Sequence, residues 1–242
     1  MAVVTNLCPA LNTVPARIRL PYRRRNQAMN HREPQRLGSE SREVKQHYIN
    51  VERYDWIVAA DHLSGVESIF HRNRERVFTR LIRRYAERTI VLDVGCGTGL
   101  LLRHMKEDAI GLDINPWNVK KAKEHTGRQI IRGDAELLPV RSSVLDLVVC
   151  TETLEHLPNP LRALNEIGCA LKHNGKLIGS VPHPHPGWRL RFLSSTHPGG
   201  EPFHHNYTRS QVVALLRGSG FRVKRVFLSL LGLNTNFVAE KP

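Results

Sequence analysis

The first chemistry in this chain lies in Val91-Leu92-Asp93-Val94-Gly95-Cys96-Gly97-Thr98-Gly99, an apolar run ending in alternating glycines. Glycines at the carboxyl end of a strand let the backbone turn sharply and let a ligand approach where a Cβ would block it. The spacing is G-x-G-x-G. A dinucleotide site calls for G-x-G-x-x-G, and the sixth position here is Leu100, which counts against a nicotinamide or flavin cofactor. Asp93, two residues before the first glycine, is poorly placed beside a pyrophosphate. It is well placed to hold an ammonium, directly or through water. A tight strand–helix turn with no ligand is the bland alternative.

Two further acids follow in order. Asp113 ends the next apolar segment, 18 residues after Gly95 (113 − 95), where a carboxylate can accept both hydroxyls of a ribose. It could instead cap the following helix, but Asn115 stands ready for that ahead of Pro116. In Gly133-Asp134-Ala135-Glu136, Asp134 could accept from an adenine amino group while the Ala135 amide donates to the ring. A lone Gly-Asp is more often just a turn.

These residues need a scaffold, and the periodicity supplies one. Segments 90–94, 109–112, 129–131, 144–150 and 176–181 read as short buried strands. Between them 100–106, 116–124 and 160–171 read as helices, the last stopped by Asn174-Gly175. Thr208 is an N-cap for a helix through Leu216. The closing strands, 221–230 and 235–240, are joined by a link too short for a crossover, so they should form an antiparallel hairpin. This alternation predicts an α/β doubly wound sheet with helices on both faces. Upstream, Glu43, Val44, Tyr48, Val51 and Tyr54–Trp56 suggest one helix, Gly65 a break, and Val66–Tyr85 another helix studded with arginines.

Residues 89–240 resemble the class I S-adenosylmethionine-dependent methyltransferases, in particular the type 11 family. Val91–Gly99 resembles its first motif, Gly111–Asn115 its acidic second-strand motif, and Gly133–Val140 its G-D-A-x-x-L-P-F segment, with Val140 for the usual Phe. Leu145–Val149, Glu152–Leu157 and Phe237–Pro242 resemble its fourth strand, the loop after it and its last strand. The resemblance implies a Rossmann-like seven-stranded sheet of order 3-2-1-4-5-7-6, with the last strand antiparallel. It implies S-adenosylmethionine as cofactor: Asp93, Gly95, Gly97 and Gly99 at its methionine part, Asp113 at the ribose and Asp134 at the adenine. Cys96, Ile114, Ala135 and Thr151 are expected to line the same site. It casts residues 41–88 as a helical lid. Arg72 or Arg74 could pair with the methionine carboxylate, although surface solvation is the simpler reading of each.

Methyl transfer needs a general base only when the nucleophile arrives protonated. His156 follows the fourth strand, and His205, beside His204, precedes the next helix; His156 and His205 are the candidate catalytic residues. His183 and His185, set among prolines, form a third candidate set. Glu152-x-x-Glu155-His156 also resembles a cluster that holds a divalent metal in some methyltransferases, but no metal is assigned. Trp188, Phe192, Phe203 and Tyr207 are candidates to line an acceptor pocket.

Bulk properties bound the rest. The 242 residues carry a net charge of +14, of which +6 comes from seven arginines against Glu33 in residues 1–36. Residues 1–40 read as a basic tail or targeting segment, with Met29 an alternative start; residues 41–242 read as the methyltransferase domain. The charge leaves a nucleic acid acceptor open. Yet Thr151-Glu152-Thr153-Leu154 stands where amino-adenine enzymes carry Asn/Asp-Pro-Pro-aromatic, and Cys150 lacks the preceding Pro of a cytosine C5 nucleophile. A small-molecule, lipid or glycan acceptor is preferred; RNA or protein methylation and a non-catalytic cofactor-binding scaffold are the alternatives. No apolar run is long enough to span a bilayer. Cys8, Cys96, Cys150 and Cys169 read as small apolar fillers, which suits the cytoplasm, or an organelle lumen if the tail is a targeting segment.

Overall fold

The computed structural model describes residues 35–50, 54–62, 66–86, 90–188 and 204–242. Residues 1–34, with Cys8 and Met29, and Gly65, Phe192 and Phe203 lie outside the described residues; the last six residues of the expected tail, 35–40, are the start of a helix.

Seven strands form one sheet of order β3-β2-β1-β4-β5-β7-β6. They are β1 (Val91–Val94), β2 (Ile110–Asp113), β3 (Gln129–Arg132), β4 (Leu145–Thr151), β5 (Leu171–Pro182), β6 (Arg222–Ser229) and β7 (Asn234–Glu240). β1 to β5 pair in parallel, while β7 runs antiparallel to both β5 and β6. The expected hairpin is present, turning through Leu230–Gly232. β1 is an interior strand between β2 and β4, and every residue of it is buried. That is why Val91–Val94 reads as an unbroken apolar run rather than an alternating one.

Each face of the sheet is covered. On one, α5 (Pro160–Ala170) and α6 (Arg209–Gly218) bury Leu164, Ile167, Val212 and Leu216 against Leu92, Val148 and Phe237. On the other, Phe78 and Ile82 of α3 (Val66–Tyr85) and Ala122 of α4 (Pro116–Thr126) pack on Val91, Val149 and Ile178. α3 is thus a packed helix of the sheet, although it falls in the segment read as a lid. Two shorter elements precede it, α1 (Gln35–Asn50) and α2 (Trp56–Asp61).

Local signals explain most boundaries. Asn115 caps α4 by accepting from the amides of Trp117 and Asn118, and Gly127 ends it at φ 63°. Thr208 and Gln211 form a reciprocal capping box on α6.

Four expectations need correction. The single helix expected through Tyr54–Trp56 is two: α1 ends at Asn50, and Asp55 starts α2 by accepting from the amides of Ile57 and Val58. The segment expected as a helix at 100–106 is turns plus one 3₁₀ turn, Leu102–His104. The amides of His104 and Met105 bond the carbonyls three residues back, of Leu101 and Leu102, so the turn tightens instead of continuing as an α-helix. Asn174-Gly175 does not stop α5, which ends at Ala170. Asn174, at φ 62°, turns the chain within β5, and its amide donates to the Lys241 carbonyl. Cys169 is exposed and fills nothing, whereas Cys96 and Cys150 are buried.

The tightest point of the sheet is Gly179 on β5, where a Cβ would overlap the Cys150 carbonyl oxygen and the Phe237 ring. Both belong to neighbouring strands at the centre of the sheet, so neither can move away cheaply. Gly179→Ala should cost about 3 kcal/mol and lower the thermal midpoint by roughly 10 °C, as read by scanning calorimetry.

Candidate functional site

The glycine loop is tied down by β2. The amides of Gly95 and Cys96 both donate to the Leu112 carbonyl, at 2.8 and 3.0 Å. The Gly97 amide donates to Asp113 Oδ2 at 2.8 Å, and Asp113 Oδ1 accepts from the Asn115 amide at 2.9 Å. Gly95, Gly97 and Gly99 all have positive φ. At Gly95 a Cβ would overlap the Thr153 side chain, and at Gly97 it would stand 3.1 Å from the Trp56 ring. The loop therefore passes close under α2, as glycine permits. Thr98, fully buried, accepts from the Trp56 amide at 3.1 Å and donates to Asp55 at 3.1 Å.

Two cavities open at the carboxyl ends of the strands, where an open α/β sheet places its ligand crevice. One, of about 800 Å³, is lined by Gly95, Gly97, Asp113, Ile114, Asp134 and Ala135, with Lys45 and Tyr48 of α1 across it. Asp134 Oδ1 accepts from the Glu136 amide at 2.8 Å, and Lys45 bridges Asp134 and Glu136 at 2.7 Å each. The other, of about 710 Å³, is lined by Phe70, His71, Arg74, Asp93, Cys96, Thr151, Glu155, Trp188 and His204. Trp56, Gly95, Glu152 and His156 border both.

A cation and an anion lie buried together in the second cavity. Asp93 is 2% exposed; burial lifts its carboxyl to about 7, with Arg74 pulling it down and Asp113 pushing it up. Arg74 is 7% exposed, and burial pulls its guanidinium below the usual range against the attraction of Glu152, Asp93 and Glu155. Its guanidinium lies 3.5 Å from His71, itself 3.0 Å from the Tyr54 hydroxyl, and among the described residues Arg74 Nε has no hydrogen-bond partner. A buried guanidinium with an open donor is costly unless something anionic completes it. Asp113 is also raised by burial, although hydrogen bonds from Asn115, Gly97 and Asn118 oppose this.

The histidines separate. His156 Nδ1 lies 2.8 Å from the Tyr48 hydroxyl, its Nε2 lies 3.8 Å from Glu155, and its ring meets that of His204 edge-on at 5.2 Å. His205 is exposed, packs on the Tyr207 ring and lines neither cavity; its neighbour His204 lines the second. The i, i+1 choice between them could not be made without knowing which way the segment turns. His183 bonds Thr235 and His185 bonds the Gly187 amide, so both organise the turn after β5. Tyr207 is buried in the core, while Trp188 lines the cavity and packs on Phe70. Glu152 faces β5 and β7, accepting from Ser180 at 2.6 Å and Asn234 at 3.2 Å. Among the described residues, no group of three His, Cys, Asp or Glu side chains is placed to hold a metal ion. The sequence offers Arg72 or Arg74 with surface solvation as the simpler reading of each; the structure leaves Arg72 exposed and buries Arg74, whose place on the inner side of α3, a turn before Phe78, was the available signal.

The methyltransferase domain family matches residues 92–179. A malonyl-[acyl-carrier protein] O-methyltransferase from Geobacter sulfurreducens is 30% identical over 70% of this chain and 68% of its own length. The chain belongs to the class I S-adenosylmethionine-dependent methyltransferases. A ubiquinone biosynthesis O-methyltransferase from Coxiella burnetii is 37% identical over 38% of this chain, which spans only 42% of that relative. Magnesium protoporphyrin IX methyltransferase from Synechocystis PCC 6803, solved with S-adenosylhomocysteine, shares the fold at TM-score 0.63 and 15% identity, over 84% of this chain and all of that one.

The cofactor is S-adenosylmethionine, and the cavities fit it. Its amino-acid end carries one ammonium and one carboxylate. The buried Asp93 and the incompletely bonded Arg74 present the opposite pair. The close approach at Gly95 and Gly97 supplies a surface without side chains.

Asp93 yields a test on the cofactor-free protein. Its carboxyl titrates near 7, above the usual carboxylate value of 3.8. The stability linked to this group is therefore full at low pH and is lost as pH rises through about 7. Asparagine does not ionise. Asp93→Asn should raise the thermal midpoint by a few degrees at about pH 8, the gap narrowing as pH falls and closing at about pH 4, where the unfolded carboxylate is also protonated. A gap that stays constant with pH would refute the assignment.

Proposed function

We propose that this chain transfers a methyl group in line from S-adenosylmethionine to an oxygen of a small-molecule, lipid or glycan acceptor. The observation that carries this reading is the junction of the two cavities at Trp56, Gly95, Glu152 and His156. A donor in one and an acceptor in the other would meet there, beside an imidazole. Both curated relatives named above are O-methyltransferases, which favours oxygen. The cofactor supplies a methyl carbon made electrophilic by its sulfonium.

In this reading Asp93 and Arg74 hold the amino-acid end, and Asp113 takes the ribose hydroxyls. Asp134 and the Ala135 amide take the adenine. Asp134 already receives Lys45 and the Glu136 amide, but a carboxylate offers about four acceptor sites, so an amino group can still be accommodated. α1 and α2 act as the lid of a domain spanning residues 41–242, excluding water with Trp56 over Gly97 and Tyr48 over His156. His156 takes the proton of a hydroxyl acceptor, and the Tyr48 hydroxyl orients its ring. His204 takes the place beside it that His205 was expected to hold. The buried thiols of Cys96 and Cys150 suit a reducing, cytoplasmic setting. Among the described residues, no helix is long and apolar enough to cross a membrane.

The reading is tested in two steps. In calorimetry, Asp93→Ala should weaken S-adenosylmethionine binding at least tenfold, roughly the loss of one charge-assisted contact; unchanged affinity would refute the site. In a labelled-methyl transfer screen of lipid, small-molecule, RNA and protein fractions, label should enter the lipid or small-molecule fraction. His156→Ala should then lower kcat about a hundredfold with the cofactor KM unchanged. A chelator should leave turnover unaltered, because Glu152 is bonded to Ser180 and Asn234.

A further inference from the structure

The outer face of α3 carries charge of one sign. Ile69, Arg72, Arg76, Arg80, Arg83 and Arg84 are all exposed, whereas Phe70, Arg74, Phe78 and Ile82 are buried. Spacings of three and four place the exposed set along one side, about 6 Å apart, over a rise of roughly 22 Å. Among the described residues no acid interrupts this face. Arg76, Arg80 and Arg83 make no hydrogen bond or ion pair among the described residues. Arg72 reaches only the Ser68 carbonyl at 3.4 Å, and Arg84 lies over the Tyr85 ring. An ordinary solvated helix mixes its signs, as α4 does with Lys120 and Lys121 around Glu124. The nearby acid of α3, Glu75, is already taken by Arg103 and His104.

The stripe starts at the second cavity. Phe70, His71 and Arg74 line that cavity, and Ile69 and Arg72 occupy the same turns facing outward. We propose that this face docks an acidic α-helix of a partner protein beside the cavity mouth. Guanidinium forks match carboxylates two bonds at a time, which lysines do not. Carboxylates four residues apart on a partner helix repeat at the spacing of Arg72, Arg76 and Arg80, so two helices side by side stay in register for several turns. Ile69, 56% exposed, gives the contact an apolar end at the mouth. A nucleic-acid backbone would satisfy the charge alone. The stripe offers no exposed aromatic ring for a base to stack on. The docking surface rests on the functional reading only for what enters the mouth.

The experiment uses the full chain and fluorescence anisotropy at low salt. The probe is an alanine-rich helical peptide with glutamates four residues apart; the same peptide with glutamines and poly-uridylate are the comparisons. The glutamate peptide should bind and the glutamine peptide should not. The R76E/R80E variant should lose roughly tenfold in affinity, with R76Q/R80Q in between and S-adenosylmethionine binding unchanged in both. Equal binding by the variants overturns the proposal, as does poly-uridylate binding more tightly and being lost in the same variants. If the unaltered chain binds the peptide but not the cofactor, the functional reading fails and the docking surface stands.

Discussion

A buried carboxylate straps the end of one strand to the loop of its neighbour. Asp113 closes β2, and its Oδ2 receives the Gly97 amide while the preceding Leu112 carbonyl receives those of Gly95 and Cys96. Three loop amides are thus satisfied by one strand end, as buried donors must be. With the loop fixed, Gly97 can lie under the Trp56 ring, and Thr98 can receive the first amide of α2. Asp93 is held at the end of β1, and Thr153 fills the space a side chain at Gly95 would need. The same carboxylate faces the larger cavity, so the group that shapes the loop is also available to a ligand.

The cost of the site is concentrated in its charges. Asp93 and Arg74 are each shifted toward their neutral forms by burial, and neither makes an ion pair within 4.0 Å of the other. Each attracts the other across the cavity without a direct ion pair. Buried charges without full partners are destabilising, so a ligand that completed them would raise stability.

α3 shows how one helix can serve three surfaces. Its inner side packs Phe78 and Ile82 into the core, its first turns bring His71 and Arg74 to the cavity, and its outer side carries the arginines. α1 makes a similar join over a shorter span. Lys45 holds Asp134 and Glu136, the Tyr48 carbonyl accepts from Asn115, and the Tyr48 hydroxyl reaches His156. The side chains around both cavities are therefore positioned by elements upstream of the strands that carry the family motifs.

Strand order followed from the family resemblance, whereas the antiparallel hairpin and the ordered acids Asp93, Asp113 and Asp134 were legible in the sequence itself. Each is encoded locally, in an apolar run, a turn residue or a short spacing. Their common placement at the strand ends follows from the topology those runs impose. Arg74 was only half legible: the sequence offered it together with Arg72, and the two differ only by the direction each faces on the helix. Nor was the choice of His204 over His205, which depends on how the chain before α6 passes the Glu155 carbonyl. The break at Asp55 was masked because one apolar periodicity runs on into Trp56, while the cap forms through Thr98 and His125, distant in sequence. The glycine loop and the strand-end acids are written in the sequence, because each is a short local motif. The second cavity was decided by tertiary structure alone, since its lining residues come from separate elements that only folding brings together.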